Sequence, residues 1–174
     1  PTRFAVPSSA QFAAALGLSP APVEELIAFH IAFGKTVPDV SLNAVANLGY
    51  AECRFHRPIV TGDTLSTKSE VIGLKQNSNG KSGVVYVRST ATDQNGEVVL
   101  DWARWVMVHK RDQAAPAPET VLPELSSVVA AADLPIPAGL DMTSYDFAAA
   151  GEPHRFDDYA VGEKIDHVDG VTLA

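Results

Sequence analysis

Two histidines and one arginine are the side chains of this sequence best suited to chemistry. His30 is a candidate proton carrier, because an imidazole ring can both accept and donate a proton. His56 and Arg57 stand together just before a proline, and such a pair can bind a phosphate or carboxylate group. The five histidines show no spacing typical of metal ligands, so we predict no metal site.

Each candidate also has a purely structural interpretation. For His30, which lies in an apolar segment, a buried histidine held by a backbone carbonyl is the favoured interpretation. For His56 and Arg57, solvation at the end of a strand competes with anion binding. Asp63 resembles a catalytic acid only in isolation, because a Gly-Asp pair is typical of a turn. The single cysteine, Cys53, is predicted to be a buried and unreactive thiol.

Two helices come first among the elements that must position these side chains. A serine cap predicts a short helix over residues 12–16, closed by Gly17. A proline and two glutamates then start a second helix, which we expect to run from residue 23 to about residue 35. Gly34 and Pro38 mark its end. Its surface is apolar almost all round, which predicts a buried helix.

Four long strands follow, predicted over residues 43–57, 64–76, 82–92 and 97–109. Asparagine and glycine in the segments 77–80 and 93–96 favour tight turns between the last three strands. Trp102 and Trp105 fall on opposite faces of the last strand, so one is expected to pack on the helix and the other to meet a partner subunit. These elements predict an α+β protein with a hot-dog fold, a long antiparallel sheet wrapped around a central buried helix.

Charge and composition divide the chain unevenly. Residues 1–111 carry 11 Lys and Arg against 9 Asp and Glu, whereas residues 112–174 carry 2 against 12. The first part can therefore accept an anionic ligand that the second would repel. No basic stripe interleaved with aromatics favours nucleic acid. The absence of a membrane-spanning apolar run and the single cysteine predict a soluble protein of the reducing cytoplasm.

We divide the chain at residues 111 and 155. Residues 1–111 form a hot-dog repeat that lacks its own opening strand. Residues 112–155 form an acidic linker rich in proline and alanine, and residues 156–174 open a second, truncated repeat with a strand at 165–173. The chain begins at Pro1 without a methionine, and we interpret it as a piece of a longer protein.

Two motifs carry a resemblance to known enzymes. FDDYAVGE at 156–163 resembles the opening of a MaoC-like hydratase domain, and PIVTGDTL at 58–65 resembles a strand junction found later in such a domain. Longer strings resemble the mesaconyl-CoA hydratase (β-methylmalyl-CoA dehydratase) family of two-repeat MaoC-like enzymes; they lie at 33–39, 43–51, 83–87, 104–108 and 162–170.

The resemblance implies reversible addition of water to the double bond of a short, branched, dicarboxylic enoyl-CoA. Such chemistry needs a base, an acid and N–H donors at the thioester carbonyl. In these enzymes the acid–base pair follows the opening strand of the catalytic repeat, so we assign no catalytic residue within this chain beyond the candidate His30. His56 and Arg57 remain candidates for substrate binding. Coenzyme A belongs to the substrate, and no separate cofactor is implied.

Several alternatives stay open. The same fold serves acyl-CoA thioesterases, and this part of the chain could also be a non-catalytic half that shapes the acyl pocket. Five cations could meet the phosphates of coenzyme A, although a solvated surface charge is favoured for each one: Lys68, Lys75, Lys81, Lys110 and Arg111. An exposed sheet edge predicts a homo-oligomer, with the 165–173 strand exchanged between chains.

Overall fold

The computed structural model describes residues 4–152 and 154–167. Three α-helices precede a single π-helical turn, and four strands and three short 3-10 turns follow. The elements are α1 (Ala5–Ser8), α2 (Ala10–Ala15), α3 (Glu25–Thr36), the π turn (Val37–Ser41), β1 (Ala44–Phe55), β2 (Ser66–Gln76), β3 (Ser82–Thr92), β4 (Val98–His109), and the 3-10 turns Ala131–Asp133, Met142–Ser144 and Phe156–Asp158.

The four strands form one antiparallel sheet in the order β1-β4-β3-β2. Helix α3 lies on one side of it, which we call the inner face. There the Phe29 ring meets the Trp102 ring with centroids 5.4 Å apart, and Thr67 Oγ1 donates to the Ala32 carbonyl over 3.3 Å. The prediction of an α+β hot-dog fold, with the sheet wrapped around a helix, is confirmed.

All four strands lie within two residues of their predicted bounds. The accuracy comes from the turns: Gly80 and Gly96 have φ values of +68° and +82°, which glycine adopts without a steric cost. Each glycine N–H closes its turn, on the carbonyls of Asn77 (3.0 Å) and Asp93 (3.2 Å). The two glycines, which accept a positive φ, therefore determine where β2 ends, where β3 begins and ends, and where β4 begins.

Helix α3 ends close to its predicted position but continues into an unpredicted π turn. It begins at Glu25 and passes through Gly34, and Pro38 lies inside the π turn rather than beyond the helix. A proline ring in an α-helix collides with the carbonyl four residues earlier, and the wider π turn avoids that contact. The Phe33 carbonyl instead accepts from Thr36 Oγ1 over 2.8 Å. The α-helix thus ends at Thr36, between Gly34 and Pro38 as predicted, and the π turn that follows it was not predicted.

The predicted burial of α3 also needs correction. Ala28, Ala32 and Thr36 are buried against the sheet, but the opposite side is open, with Leu26 59% and Ile31 52% exposed. Four strands cover only one side of a helix. Apolar residues all round α3 therefore give a buried inner surface and an exposed outer surface in this chain.

The shorter helix α2 was predicted well. Ser9 Oγ accepts from the Phe12 N–H over 3.1 Å and so caps the helix, and Gly17 follows its end with φ +80°. Its bounds, Ala10–Ala15, begin two residues before the predicted range.

Part of the predicted linker packs on the outer face of the sheet. Val121 exchanges two backbone hydrogen bonds of 2.9 Å with Leu74 of the edge strand β2. A Cβ on Gly73 would lie 2.6 Å from the Val121 carbonyl oxygen, so glycine permits this close approach. The predicted division of the chain at 111 and 155 stays a prediction.

The tryptophans of β4 lie on opposite faces, as predicted. Trp102 is fully buried on the inner face, and Trp105 stacks on Tyr86 on the outer face with centroids 6.0 Å apart. The predicted strand 165–173 forms no strand over residues 165–167, and its remainder lies outside the described residues. Across the described ranges, we find no helix long and apolar enough to cross a bilayer.

Candidate functional site

Arg57 lies in a cluster of carboxylates where β1 ends. Its Nη1 donates to Asp63 Oδ2 (2.9 Å) and its Nη2 to Asp93 Oδ2 (2.7 Å), while Nε lies 3.4 Å from Glu97. Nη1 also donates to the Pro58 carbonyl over 2.8 Å. The guanidinium thus ties the turn after β1 to the turn between β3 and β4, a structural role that sequence reasoning also favoured for Asp63.

The ionisation of this cluster follows its geometry. The Arg57 guanidinium and the Val60 N–H hold the pKa of Asp63 below its usual range. Burial raises the pKa of Asp93, but the Glu97 N–H, Arg57 and the Asn95 N–H together outweigh that effect and lower it. Both carboxylates are therefore charged at neutral pH and compensate Arg57.

His56 belongs to a second network on the outer face. Its Nε2 contacts Asp101 Oδ2, whose other oxygen lies 3.4 Å from Arg88 Nη1, and Arg88 Nη2 pairs in turn with Glu52. The Ser126 N–H donates to Glu52 over 2.8 Å, and this bond together with Arg88 lowers the pKa of Glu52 to about 2. The network joins the segment after β4 to β1, β3 and β4.

The structure thus brings neighbouring candidates into two different networks. His56 and Arg57, each proposed to bind substrate, have carboxylate partners already, and their assignment to substrate stays a prediction. His30 is exposed rather than buried, and its ring lies 5.6 Å from that of Phe29. The expected burial of His30 failed because His30 lies on the open side of α3.

Cys53 is exposed, contrary to prediction. Its position in the edge strand β1 explains the difference, because no further strand covers β1 within the described ranges. Partial loss of hydration and the charges of Asp101 and Glu25 raise the pKa of the Cys53 thiol, so it remains a poor nucleophile at neutral pH.

Three of the five candidate cations gather at one end of the sheet. Lys75 and Lys110 line the same shallow hollow, and the Lys110 N–H donates to the Lys81 carbonyl over 2.9 Å. Lys110 Nζ is engaged with Gln76 Oε1 (3.0 Å) and the Ala115 carbonyl (2.5 Å). Lys75 and Lys81 are exposed there, and a binding role for them stays a prediction.

A cavity of about 490 Å³ opens beside the start of α3. Its lining is mostly apolar, with Glu24 and Glu25 as its acidic members. An apolar wall with two carboxylates suits a hydrocarbon chain better than a phosphate group. The lining residues are Phe4, Val6, Pro7, Leu18, Pro22, Val23, Glu24, Glu25, Leu26, Pro58, Pro137 and Leu140.

Sequence reasoning missed the most unusual charged residue, Arg104 of β4. Arg104 is 1% exposed and lies on the inner face, where its Nη2 donates to Thr36 Oγ1 (2.9 Å) and its Nη1 to Ser41 Oγ (3.2 Å). The guanidinium carbon sits 4.6 Å from the centre of the Phe33 ring. Burial lowers the pKa of Arg104. Strand alternation held the signal, because Arg104 shares the parity of Trp102 and must face the same way.

The sequence of this chain matches a known domain family and two named enzymes. A family described as the FAS1-like dehydratase domain region matches residues 4–102. The chain is 65% identical over 173 residues to mesaconyl-CoA hydratase of Cereibacter sphaeroides, and 59% identical over 172 residues to β-methylmalyl-CoA dehydratase of Chloroflexus aurantiacus. Each match covers 99% of this chain but only 50% and 49% of those proteins, so the chain spans about half the length of the curated relatives it matches.

Two solved structures have the same fold as this chain. A crystal structure assigned to a MaoC domain dehydratase of Chloroflexus aurantiacus superposes with a TM-score of 0.83 at 59% identity, covering 99% of this chain and 49% of that one. A Mycobacterium tuberculosis protein with a double hot-dog fold superposes with a TM-score of 0.63 at 30% identity, covering 84% and 45%. The chain belongs to the FAS1-like dehydratase domain family and has the hot-dog fold of the MaoC-type dehydratases.

Proposed function

We propose that the chain is one half of a hydratase that reversibly adds water to the double bond of a short, branched, dicarboxylic enoyl-CoA such as mesaconyl-CoA. The observation that carries this proposal is 65% identity, over 99% of the chain, to a protein named mesaconyl-CoA hydratase. Coenzyme A is part of the substrate in this proposal, and the reaction needs no redox cofactor. The lone cysteine supports a reducing, cytoplasmic location.

This half supplies walls for the acyl group rather than the acid–base pair. Hydration needs a base for water and an acid at the α-carbon, both within reach of the thioester. Among the described residues, the one histidine bonded to a carboxylate is His56, and its partner Asp101 is already shared with Arg88 on the outer face. The α3 start is flanked by two glutamates, which would oppose a developing oxyanion. We therefore place the catalytic pair in the other half.

The open side of α3 supports a paired assembly. Leu26, Ile27 and Ile31 present exposed apolar surface on α3, and β1 is an edge strand of the sheet. A second hot-dog unit, from the same polypeptide or from another copy, would bury both. Light scattering on residues 1–174 alone is expected to give a dimer or larger species. A monomer would contradict the homo-oligomer of this chain.

A spectrophotometric hydration assay tests the function. The full-length protein is expected to consume the enoyl absorbance of mesaconyl-CoA while the thioester stays intact, and residues 1–174 alone are expected to be inactive. Release of free coenzyme A thiol would instead indicate a thioesterase. Turnover by residues 1–174 at the full-length rate would contradict the division of roles between the halves.

A further inference from the structure

Arg104 is the most buried guanidinium in the described chain and has no carboxylate partner there. Its hydrogen bonds go to the hydroxyls of Thr36 and Ser41 and, at 3.5 Å, to the Thr36 carbonyl. A buried charge without a counter-charge is costly, and proteins almost always pair it. Arg57 and Arg88 follow that rule, because each is paired with carboxylates. Arg155, whose side chain donates to two backbone carbonyls, is exposed.

Unmet donors mark the same place. Within the described residues, Arg104 Nε is buried without a hydrogen-bond partner, and so is Nε1 of Trp102, which is two residues away on the same face of β4. A third such donor is Arg54 Nε in β1. Buried N–H groups normally have an acceptor. Two such donors at neighbouring inner-face positions indicate that an acceptor group belongs here.

Arg104 lies on β4, next to the edge strand β1 of the sheet. Tyr50 is the direct partner of Arg104 in the register of β1 and β4 and is 45% exposed. Burial lowers the pKa of Arg104, and the nearby Tyr50 acts in the opposite direction. The Phe33 ring lies against the guanidinium, and the Tyr50 ring lies 6.1 Å from the Phe33 ring. Both neighbours are side chains, so a rotation of the partly exposed Tyr50 is the movement that would open a path to Arg104 from the β1 edge.

We propose that Arg104 binds the distal carboxylate of a dicarboxylic acyl thioester, with Tyr50 at the entrance of the site. The proposal rests on the proposed function for the thioester and adds the residue that distinguishes a charged acyl group from a neutral one. A guanidinium presents two parallel N–H donors to a carboxylate, and Nε is the donor left over here. Thr36 and Ser41 hold the other side of the group in place.

Binding of saturated thioesters tests this without relying on turnover. The ligands are 2-methylsuccinyl-CoA, which carries the distal carboxylate, and 2-methylbutyryl-CoA, in which a methyl group replaces it. In the full-length protein, Arg104→Gln is expected to weaken the first about 100-fold and the second less than about 3-fold. Arg104→Lys keeps the charge but not the forked geometry and is expected to fall between wild type and Arg104→Gln.

Two further variants control for a general loss of positive charge and for misfolding of the Arg104 variant. Lys35→Gln removes one positive charge from the exposed end of α3 and should leave the preference for the charged ligand unchanged. If Arg104→Gln does not fold, Tyr50→Phe still tests the site, with an expected loss of about 3- to 10-fold for the charged ligand alone.

Equal weakening of both ligands in Arg104→Gln, or no weakening of either, would overturn the proposal, because Arg104 would then be a structural residue paired elsewhere in the protein. The outcome is separable from the proposed function. A protein that discriminates the two thioesters through Arg104 but hydrates no enoyl-CoA would keep this site and lose the hydratase. A hydratase whose discrimination survives Arg104→Gln would do the reverse.

Discussion

Arg57, just after β1, and Arg88, on the outer face, sit among carboxylates, whereas Arg104 on the inner face has hydroxyl, carbonyl and aromatic neighbours. The side chains of Arg57 and Arg88 are 24% and 34% exposed. Between them they contact five carboxylates: Asp63, Asp93 and Glu97 for Arg57, and Glu52 and Asp101 for Arg88. Arg104 is 1% exposed and contacts none. The charges of the paired arginines are compensated by carboxylates within the described residues, whereas that of Arg104 is not, and this contrast is what the proposed carboxylate ligand would explain.

Replacement of Arg57 by methionine should show the largest effect. The variant leaves Asp63 and Asp93 as charges without a cation, so we expect a loss of about 3 to 5 kcal/mol in the free energy of unfolding. Urea denaturation monitored by circular dichroism measures it. A loss below about 1 kcal/mol would mean that the carboxylates are held by their N–H donors alone, and the contrast with Arg104 would weaken.

The outer network also depends on the segment that crosses the sheet. Gly73→Ala puts a Cβ within 2.6 Å of the Val121 carbonyl oxygen and 2.7 Å of Pro123 Cδ, and should cost about 1 to 3 kcal/mol. Gly34→Ala is the matched control, since a Cβ there meets nothing within 4 Å and should stabilise α3 by about 0.5 to 1 kcal/mol. Equal melting temperatures for the two variants would show that the segment does not pack on β2.

Acid should weaken the outer network before the inner site. The pKa of Glu52 is about 2 in the folded protein against an ordinary value of 4.5, so the unfolded chain binds the extra proton between these values. Its stabilising contribution is complete above pH 4.5 and is lost as the pH falls toward 2. Glu52→Gln should cost about 1 to 2 kcal/mol at pH 7 and flatten the acid side of the stability profile. Parallel profiles for variant and wild type between these pH values would contradict this.

Replacement of Arg104 by methionine should have the smallest effect on stability. Removing a buried charge that lacks a counter-charge is expected to change the free energy of unfolding by less than about 1 kcal/mol, or to increase it. The same urea experiment used for the Arg57 variant measures it. A loss as large as that of Arg57→Met would place Arg104 among the structural arginines and break the comparison.

The strands were predictable because each boundary carries a local signal. Asn77 with Gly80, and Asp93 with Gly96, determine turns through backbone conformations that few other residues adopt. The Arg57 cluster was not predictable, because Asp93 lies 36 residues away and only the sheet register brings the two together.

The misjudged burial of α3 has a different cause. An apolar helix surface predicts that something covers it but does not say whether the cover lies in the same chain, and here Leu26 and Ile31 remain exposed. Arg104 was within reach of the sequence, since alternation along β4 places it beside Trp102. The signal for Arg104 was its position, because a charged residue lies there at an inward-facing position of a mostly buried strand.

The hydrogen bonds between Val121 and Leu74 also limit how the protein can associate. They occupy the β2 edge near its end, two residues before Gln76, and so take up part of the edge that lies opposite β1. A free sheet edge is a template on which a strand of another chain can add. The segment after β4 thereby shortens the length of β2 that is open to another strand, and variants that weaken the pairing of Val121 with Leu74 are expected to aggregate more readily.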